Sequence, residues 1–366
     1  MAQTIEPAAA PEPRTDPTAP PLGGGSRGAL GRFFERHPVW TGFLFLALAI
    51  LLWAIFAPWP KDMVAILGRK KIFLNALFNG ITLGALYFLV ASGFTLIFGL
   101  MKHVNLAHGS LYLLGGYIGY EVAEATGYWV PSFLVAFLLV GLLGLLMQVF
   151  VLRHLVGQEL RETLVTIGIS IVLADLMLWI WGGDFYQILA PEWLSGPVQL
   201  PLVTAVKRSG VPVFLKYPSV RLAILAGAVL VGVAMWLALN RTRIGMLIRA
   251  GVDDRDMLAA TGVPVEVIFA AVFAFGAGLA GIAGVVGGTF QSLAPGEDTR
   301  FLLASLVVVI VGGMGSIPGA ALGALLVGLA EQFGSVYTPT YAVVFTFVIM
   351  VLVLAFRPQG LLPGTR

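Results

Sequence analysis

Side chains able to do chemistry are scarce inside the apolar runs of this 366-residue chain. Asp175 stands in the middle of SIVLADLMLWIW. A carboxylate at membrane depth is costly and is a functional candidate by default, a proton relay being one use. No span supplies it with a basic partner, and a structural Asp hydrogen-bonded inside the bundle fits as well. Asn105, His108 and Ser110 open one apolar run, Thr82, Tyr87 and Ser92 lie on the run before, and Ser305 lies on a later one. These neutral donors and acceptors suit a path that must release its solute. They suit equally the capping of helix ends and hydrogen bonds between helices.

Other patterns resolve into packing. Gly276, Gly278 and Gly281 spell G-x-G-x-x-G, but a dinucleotide site needs a preceding strand, and this motif lies within a membrane-length run. Gly276, Ala280, Gly284 and Gly288 form a four-residue ladder of small side chains suited to helix packing. His103 and His108 are five apart with no neighbouring acid, so no metal is expected. The absence of cysteine removes disulfides, thiolate zinc sites and cysteine nucleophiles. No Gly-Lys dipeptide occurs, so the chain has no phosphate-binding loop of the Walker type and is expected to hold no cofactor.

The elements that position these residues follow from composition. Hydrophobic residues make up 58% and charged residues 11%, with a mean hydropathy of +0.92. A soluble domain carries about 25% charge, so this is an all-α polytopic membrane protein. The net charge of +3 sits in loops and reads as orientation, not nucleic-acid binding. Residues 1–38 read as a disordered Pro/Ala/Gly-rich tail, and 39–60 as an extra N-terminal span retained after the tail. Residues 72–356 hold the remaining runs, and 357–366 a short tail. About ten spans result, with both termini in the cytoplasm. The loop Gly182–Pro218 reads as an interfacial cap.

Two polar or glycine-rich intervals interrupt the runs. In 240–264, Arg241, Arg243, Arg249 and Arg255 place the interval in the cytoplasm. Asp253 as a cap, Asp256 three residues on, and Gly262 with Pro264 as stops predict a helix over 254–261, about 12 Å long. Met257, Ala260 and Thr261 ride on it. A solvated loop and a docking handle both fit this pattern. In 312–319, Gly312, Gly313, Gly315 and Gly319 remove helix propensity, while Ser316 can cap a new helix with Pro318 in its first turn. Two helices of about 18 and 24 Å are expected there, each too short to cross alone.

Three stretches carry a resemblance: FNGITLGALYFLVASGFTLIFGLMKHVNLAHG (78–109), RAGVDDRDMLAATGVP (249–264), and VGGMGSIPGAALGALLVGLAEQF (311–333) with a terminal FRPQGLL. Together they resemble the membrane permease of branched-chain amino acid ABC importers over roughly residues 73–363. The resemblance implies a type II importer bundle with a broken helix near 312–319, in a bacterial inner membrane. It implies a homologous second permease, two cytoplasmic ATPase subunits that hold ATP and Mg, and a periplasmic binding protein. Arg249, Asp253, Asp254, Asp256, Met257, Ala260 and Gly262 then belong to the loop that meets an ATPase. Ser110 stands where the family usually has an acid, and TRFLLASL departs from the usual Lys-Ala-Phe-like stretch. Related permeases carry urea, short amides or sugars, so those solutes stay open. A self-contained secondary transporter is the competing class, although Asp175 alone fits it poorly. A membrane enzyme would need clustered acids or histidines at the membrane face, which the sequence lacks.

Overall fold

A computed structural model of the chain describes residues 70–101, 104–206 and 211–362, with Leu52, Ala54 and Ile55. Apart from those last three, the expected tail and first span lie outside the described residues, as do Lys61, Arg69, His103 and Arg366. The chain divides between Trp59 and Pro60, and the fold below is that of the second unit.

Eleven helices are described there: α1 (Lys70–Met101), α2 (His108–Thr126), α3 (Trp129–Phe150), α4 (Glu159–Trp181), α5 (Ser219–Arg241), α6 (Arg243–Asp253), α7 (Arg255–Ala260), α8 (Val265–Phe290), α9 (Glu297–Gly312), α10 (Ile317–Tyr337) and α11 (Ala342–Phe356). Seven stretches are long and apolar enough to cross a membrane: α1, α3, α4, α5, α8, α10, and Pro339–Phe356 ending in α11. The chain is a multi-pass helical membrane protein. With no water in the bilayer core, backbone groups must bond within the chain, and helices do this segment by segment.

α1 and α8 form the centre. α8 lies against α1, α2 and α3, and α10 runs along α1. Glycine makes these approaches close. A Cβ added to Gly115 would meet the Gly281 backbone, and one added to Gly284 would meet the Tyr112 carbonyl. Small residues let helix backbones touch where lipid gives no hydrophobic drive. The outer helices α4, α5 and α11 keep broad apolar faces, with Trp179 82%, Leu230 71% and Val343 64% exposed.

Four expectations need correction. The fold is not purely helical: β1 (Pro197–Val206) and β2 (Pro212–Pro218) pair antiparallel inside the expected cap loop. Leu215 and Tyr217 are buried in alternation with exposed neighbours, the period-two signature of a half-buried strand, and the flanking prolines obscured it. The short helix expected over 254–261 is capped by Asp254, not Asp253. Asp254 accepts from the Met257 amide at 2.9 Å, while Asp253 ends the preceding helix. α7 is thus Arg255–Ala260, and α6 precedes it with its own cap, Thr242 accepting from the Gly245 amide. The helices on either side of Gly313 have 16 and 21 residues. At 1.5 Å per residue they run about 24 and 31 Å, so α10 alone can cross a core of about 30 Å. α9 begins earlier than its apolar run because Glu297 and Asp298 occupy its first turn, where acids complement the helix dipole. The fourth is Asp175, which lies on the exposed face of α4.

Candidate functional site

The polar side chains converge where α2 and α9 begin. α1 runs to Met101, yet His108, the first residue of α2, places Nε2 2.9 Å from the Val90 carbonyl. That carbonyl lies about 16 Å back along α1. The chain therefore turns back into the bundle before α2 starts. Asn105 steadies this return by accepting from the Ala107 amide at 3.0 Å, and Leu106 donates to Thr166 on α4 at 3.3 Å. The start of α9 comes down beside it. Ser110 Oγ donates to Asp298 at 3.3 Å and shares a 2.8 Å bond with Ser170 of α4. A Cβ on Gly109 would collide with the Asp298 carbonyl. The two helix N-termini thus meet inside the protein, with the Asp298 carboxylate at both positive ends.

Two residues further along α9 the cluster becomes ionic. Arg300 lies 3.2 Å from Glu297 and 3.0 Å from Glu331 of α10. Glu331 also accepts from the Tyr87 hydroxyl at 2.5 Å. Tyr87 and Tyr112 both pack on Phe301, at 5.7 and 4.2 Å between ring centres. Four helices, α1, α2, α9 and α10, meet here.

The structure separates the sequence candidates. Tyr87, Asn105, His108 and Ser110 belong to this convergence. Ser92 and Ser305 are buried and donate to carbonyls of their own helices, at Leu89 and Leu302. Thr82 bonds to Tyr217 beneath the hairpin at 2.8 Å. Asp175 is exposed and has no hydrogen bond or ion pair among the described residues, which removes the reading of a bundle-facing structural Asp. The reason is helical phase. At about 100° per residue, Asp175 is turned about 180° from buried Thr166 and nearly as far from buried Met177. Sequence reading missed Arg300, Glu297, Asp298 and Ser170. The signal was Glu331, the one charged residue in 301–356, which needs a partner at that depth.

A second polar district lies at α6 and α7. Ile244, Met246 and Met257 are 66%, 58% and 70% exposed, and Leu258 anchors α7 from below. Ala260 is exposed, and Gly262 ends the segment with φ 84°. Arg249 donates to the Leu239 carbonyl, so it ties α6 to the end of α5. Asp256 lies within α7.

The turn after α9 is closed by the chain's own C-terminal segment. Gly313 adopts φ 109°, and Ser316 caps α10 by accepting from the Gly319 amide at 3.1 Å. Gly312 lies backbone to backbone with Gly319, and Gly315 approaches Gly99. Leu361 and Leu362 donate to the carbonyls of Val311 and Gly312, both at 2.9 Å. Those carbonyls have no partner within α9. The FRPQGLL motif is therefore a backbone cap for a helix 50 residues earlier in the chain.

The family model for "Branched-chain amino acid transport system / permease component" matches residues 76–354. The permease protein BraD of a high-affinity branched-chain amino acid transport system in Pseudomonas aeruginosa is 30% identical over 302 residues, covering 79% of this chain and 95% of that protein. The corresponding LivH protein of Escherichia coli is 28% identical over 305 residues, with 79% and 95% covered. The LivM permease protein of Escherichia coli is 28% identical over 304 residues, covering 78% of this chain and 69% of that protein.

Proposed function

This chain belongs to the branched-chain amino acid transport system permease family, and from that premise we propose that it is the membrane-spanning subunit of an ATP-binding-cassette importer for branched-chain amino acids. The observation that carries the solute is the match across 95% of the length of two relatives named for that solute. It favours amino acids over urea, amides or sugars.

The finer architecture follows as part of this reading. The chain lies in a bacterial inner membrane with α6, α7 and the turn after α9 on the cytoplasmic side, together with both termini. Ten crossings result when α2, α9 and the expected span in 39–60 are counted with the seven apolar stretches. α9, at about 24 Å, is a short crossing whose start is packed against the start of α2. This chain pairs with a second permease, and the path runs between them past the start of α2 and α9. It holds no cofactor and catalyses no reaction. ATP and Mg are bound by two ATPase subunits, and a periplasmic protein delivers the solute.

α6 and α7 form the ATPase dock. Their exposed Ile244, Met246 and Met257 offer apolar contacts to a partner, and the Thr242 and Asp254 side-chain caps fix where the two helices start. The test is reconstitution of the permease pair, the ATPases and the binding protein in liposomes. ATP-dependent uptake of labelled leucine is expected, and uptake of urea or ribose but not leucine would overturn the assignment.

A further inference from the structure

Resting on the importer reading, we propose that Arg300, flanked by Glu297 and Glu331, is a station for the zwitterionic head of the solute in transit.

The first support is placement. Tyr87 lies at the middle of α1, and its hydroxyl reaches Glu331, so the ionic group sits inside the span and not on a loop. Charges at such depth are expensive, and a buried ion pair is weak evidence for stability, because desolvation offsets most of its attraction. A purely structural contact between α9 and α10 would be made as well by apolar residues.

The second support is accessibility. The side chains of Arg300, Glu297 and Glu331 are 42%, 25% and 17% exposed. The group thus opens on one side, beside the exposed Leu303 of α9. Asp298 and Ser110, one residue and one helix away, are closed in and bonded to each other. Arg300 is the guanidinium a solute could reach.

The third support is charge arithmetic. An α-amino acid carries a carboxylate and an ammonium on one carbon. Arg300 presents one nitrogen to each of two carboxylates, Nη2 to Glu331 and Nη1 to Glu297. A solute carboxylate can take the place of Glu331 on the planar guanidinium fork, and the displaced Glu331 can accept from the solute ammonium. Every charge keeps an opposite partner throughout the exchange. The net gain is small, which is what conduction requires: favourable enough to enter, weak enough to leave. Tyr87 holds Glu331 within reach during the exchange. An uncharged solute would have no use for this arrangement.

The test uses the complete importer in liposomes with its binding protein, reading leucine uptake and ATP hydrolysis together. Arg300→Gln is expected to lower maximal uptake about tenfold, the loss of one charge-assisted interaction. The half-saturating leucine concentration, set by the binding protein, stays unchanged, and loaded binding protein still stimulates ATP hydrolysis. Arg300→Lys retains more uptake than Arg300→Gln. The decisive variant exchanges the charges, Arg300→Glu with Glu331→Arg. It restores an ion pair between α9 and α10 but moves the cation away from Glu297, and uptake is expected to stay low. Uptake near the wild-type rate in the exchanged variant, or in Arg300→Gln, would overturn the station and leave a structural pair. Should Arg300→Gln not reach the membrane, the Lys and exchanged variants decide. A wild-type complex that moves no amino acid sinks the importer reading itself, whereas variant effects on an active wild type bear on Arg300 alone.

Discussion

Ser110 and Asp298 stand 3.3 Å apart, hydroxyl to carboxylate, across 188 residues of sequence. Each is in the first turn of its helix, and the two helices run away from this meeting point, α2 towards Thr126 and α9 towards Gly312. One carboxylate thereby serves two positive helix ends in a setting where water cannot. Ser170 completes the contact from α4.

Asp298→Ala should therefore destabilise the purified protein by about 1–3 kcal/mol, the cost of leaving buried donors without a partner. Thermal unfolding in detergent reads this directly. Asp298→Asn should cost less, since an amide oxygen still accepts. Equal midpoints for the wild type and the Ala variant would show that Asp298 does not hold the two helix starts.

Gly284→Leu should separate α8 from α2, because any side chain there meets the Tyr112 carbonyl and the Gly116 amide. Overpacking of this kind costs about 1–3 kcal/mol. Gly227→Leu on α5, where an added Cβ meets nothing, should be nearly neutral. The comparison is made by yield and thermal midpoint of the two purified variants, and equal behaviour would contradict the close approach.

Ala259→Pro should leave the protein in the membrane but uncouple ATP hydrolysis from uptake. Proline within α7 costs about 3 kcal/mol locally and breaks the stiffness that a docking helix needs. Asp254→Ala should have a milder effect in the same direction, about 1 kcal/mol for a lost cap. Full coupling in Ala259→Pro would remove α7 from the coupling role.

Asp175 should face a water-lined seam beside the second permease, because a carboxylate exposed to lipid at this depth is too costly. The chain has no cysteine, so single thiols report cleanly. A water-soluble maleimide should modify Asp175→Cys readily, while Val344→Cys, on the exposed apolar face of α11, stays unreactive. Equal protection of both would place Asp175 against lipid or closed protein.

Met314 and Pro358 should be accessible from the same side of the membrane, the cytoplasmic one. Leu361 and Leu362 bond to the end of α9, so the C-terminal segment and the turn after α9 cannot lie on opposite faces. Labelling of Met314→Cys and Pro358→Cys from the periplasm would reverse the orientation.

Much was legible in the residue order, for reasons that are local. Apolar runs of membrane length fix a helical multi-pass protein, because no other open structure satisfies its backbone in lipid. The three motifs mark the permease family. Gly312 to Ser316 ends one helix and caps the next through torsions and one hydroxyl, all within a few residues. The sequence placed the cap of α7 one residue early, since neighbouring aspartates have equal propensity and only the φ of −151° at Asp254 selects between them. The hairpin strands escaped notice because their alternation spans only a few residues between prolines.

What the sequence could not decide is everything that depends on which face meets which. Asp175 reads as a bundle residue until the phase of α4 turns it outward. Tyr87 reads as a neutral path residue until Glu331, 244 positions later, meets its hydroxyl. Arg300 merely precedes an apolar run in the sequence, and only the packing of α9 against α10 gives it Glu331 as a partner. Composition and periodicity are properties of a segment and survive in one dimension. A hydrogen bond between segments is a property of their packing, and packing distances are set only when the helices close on one another.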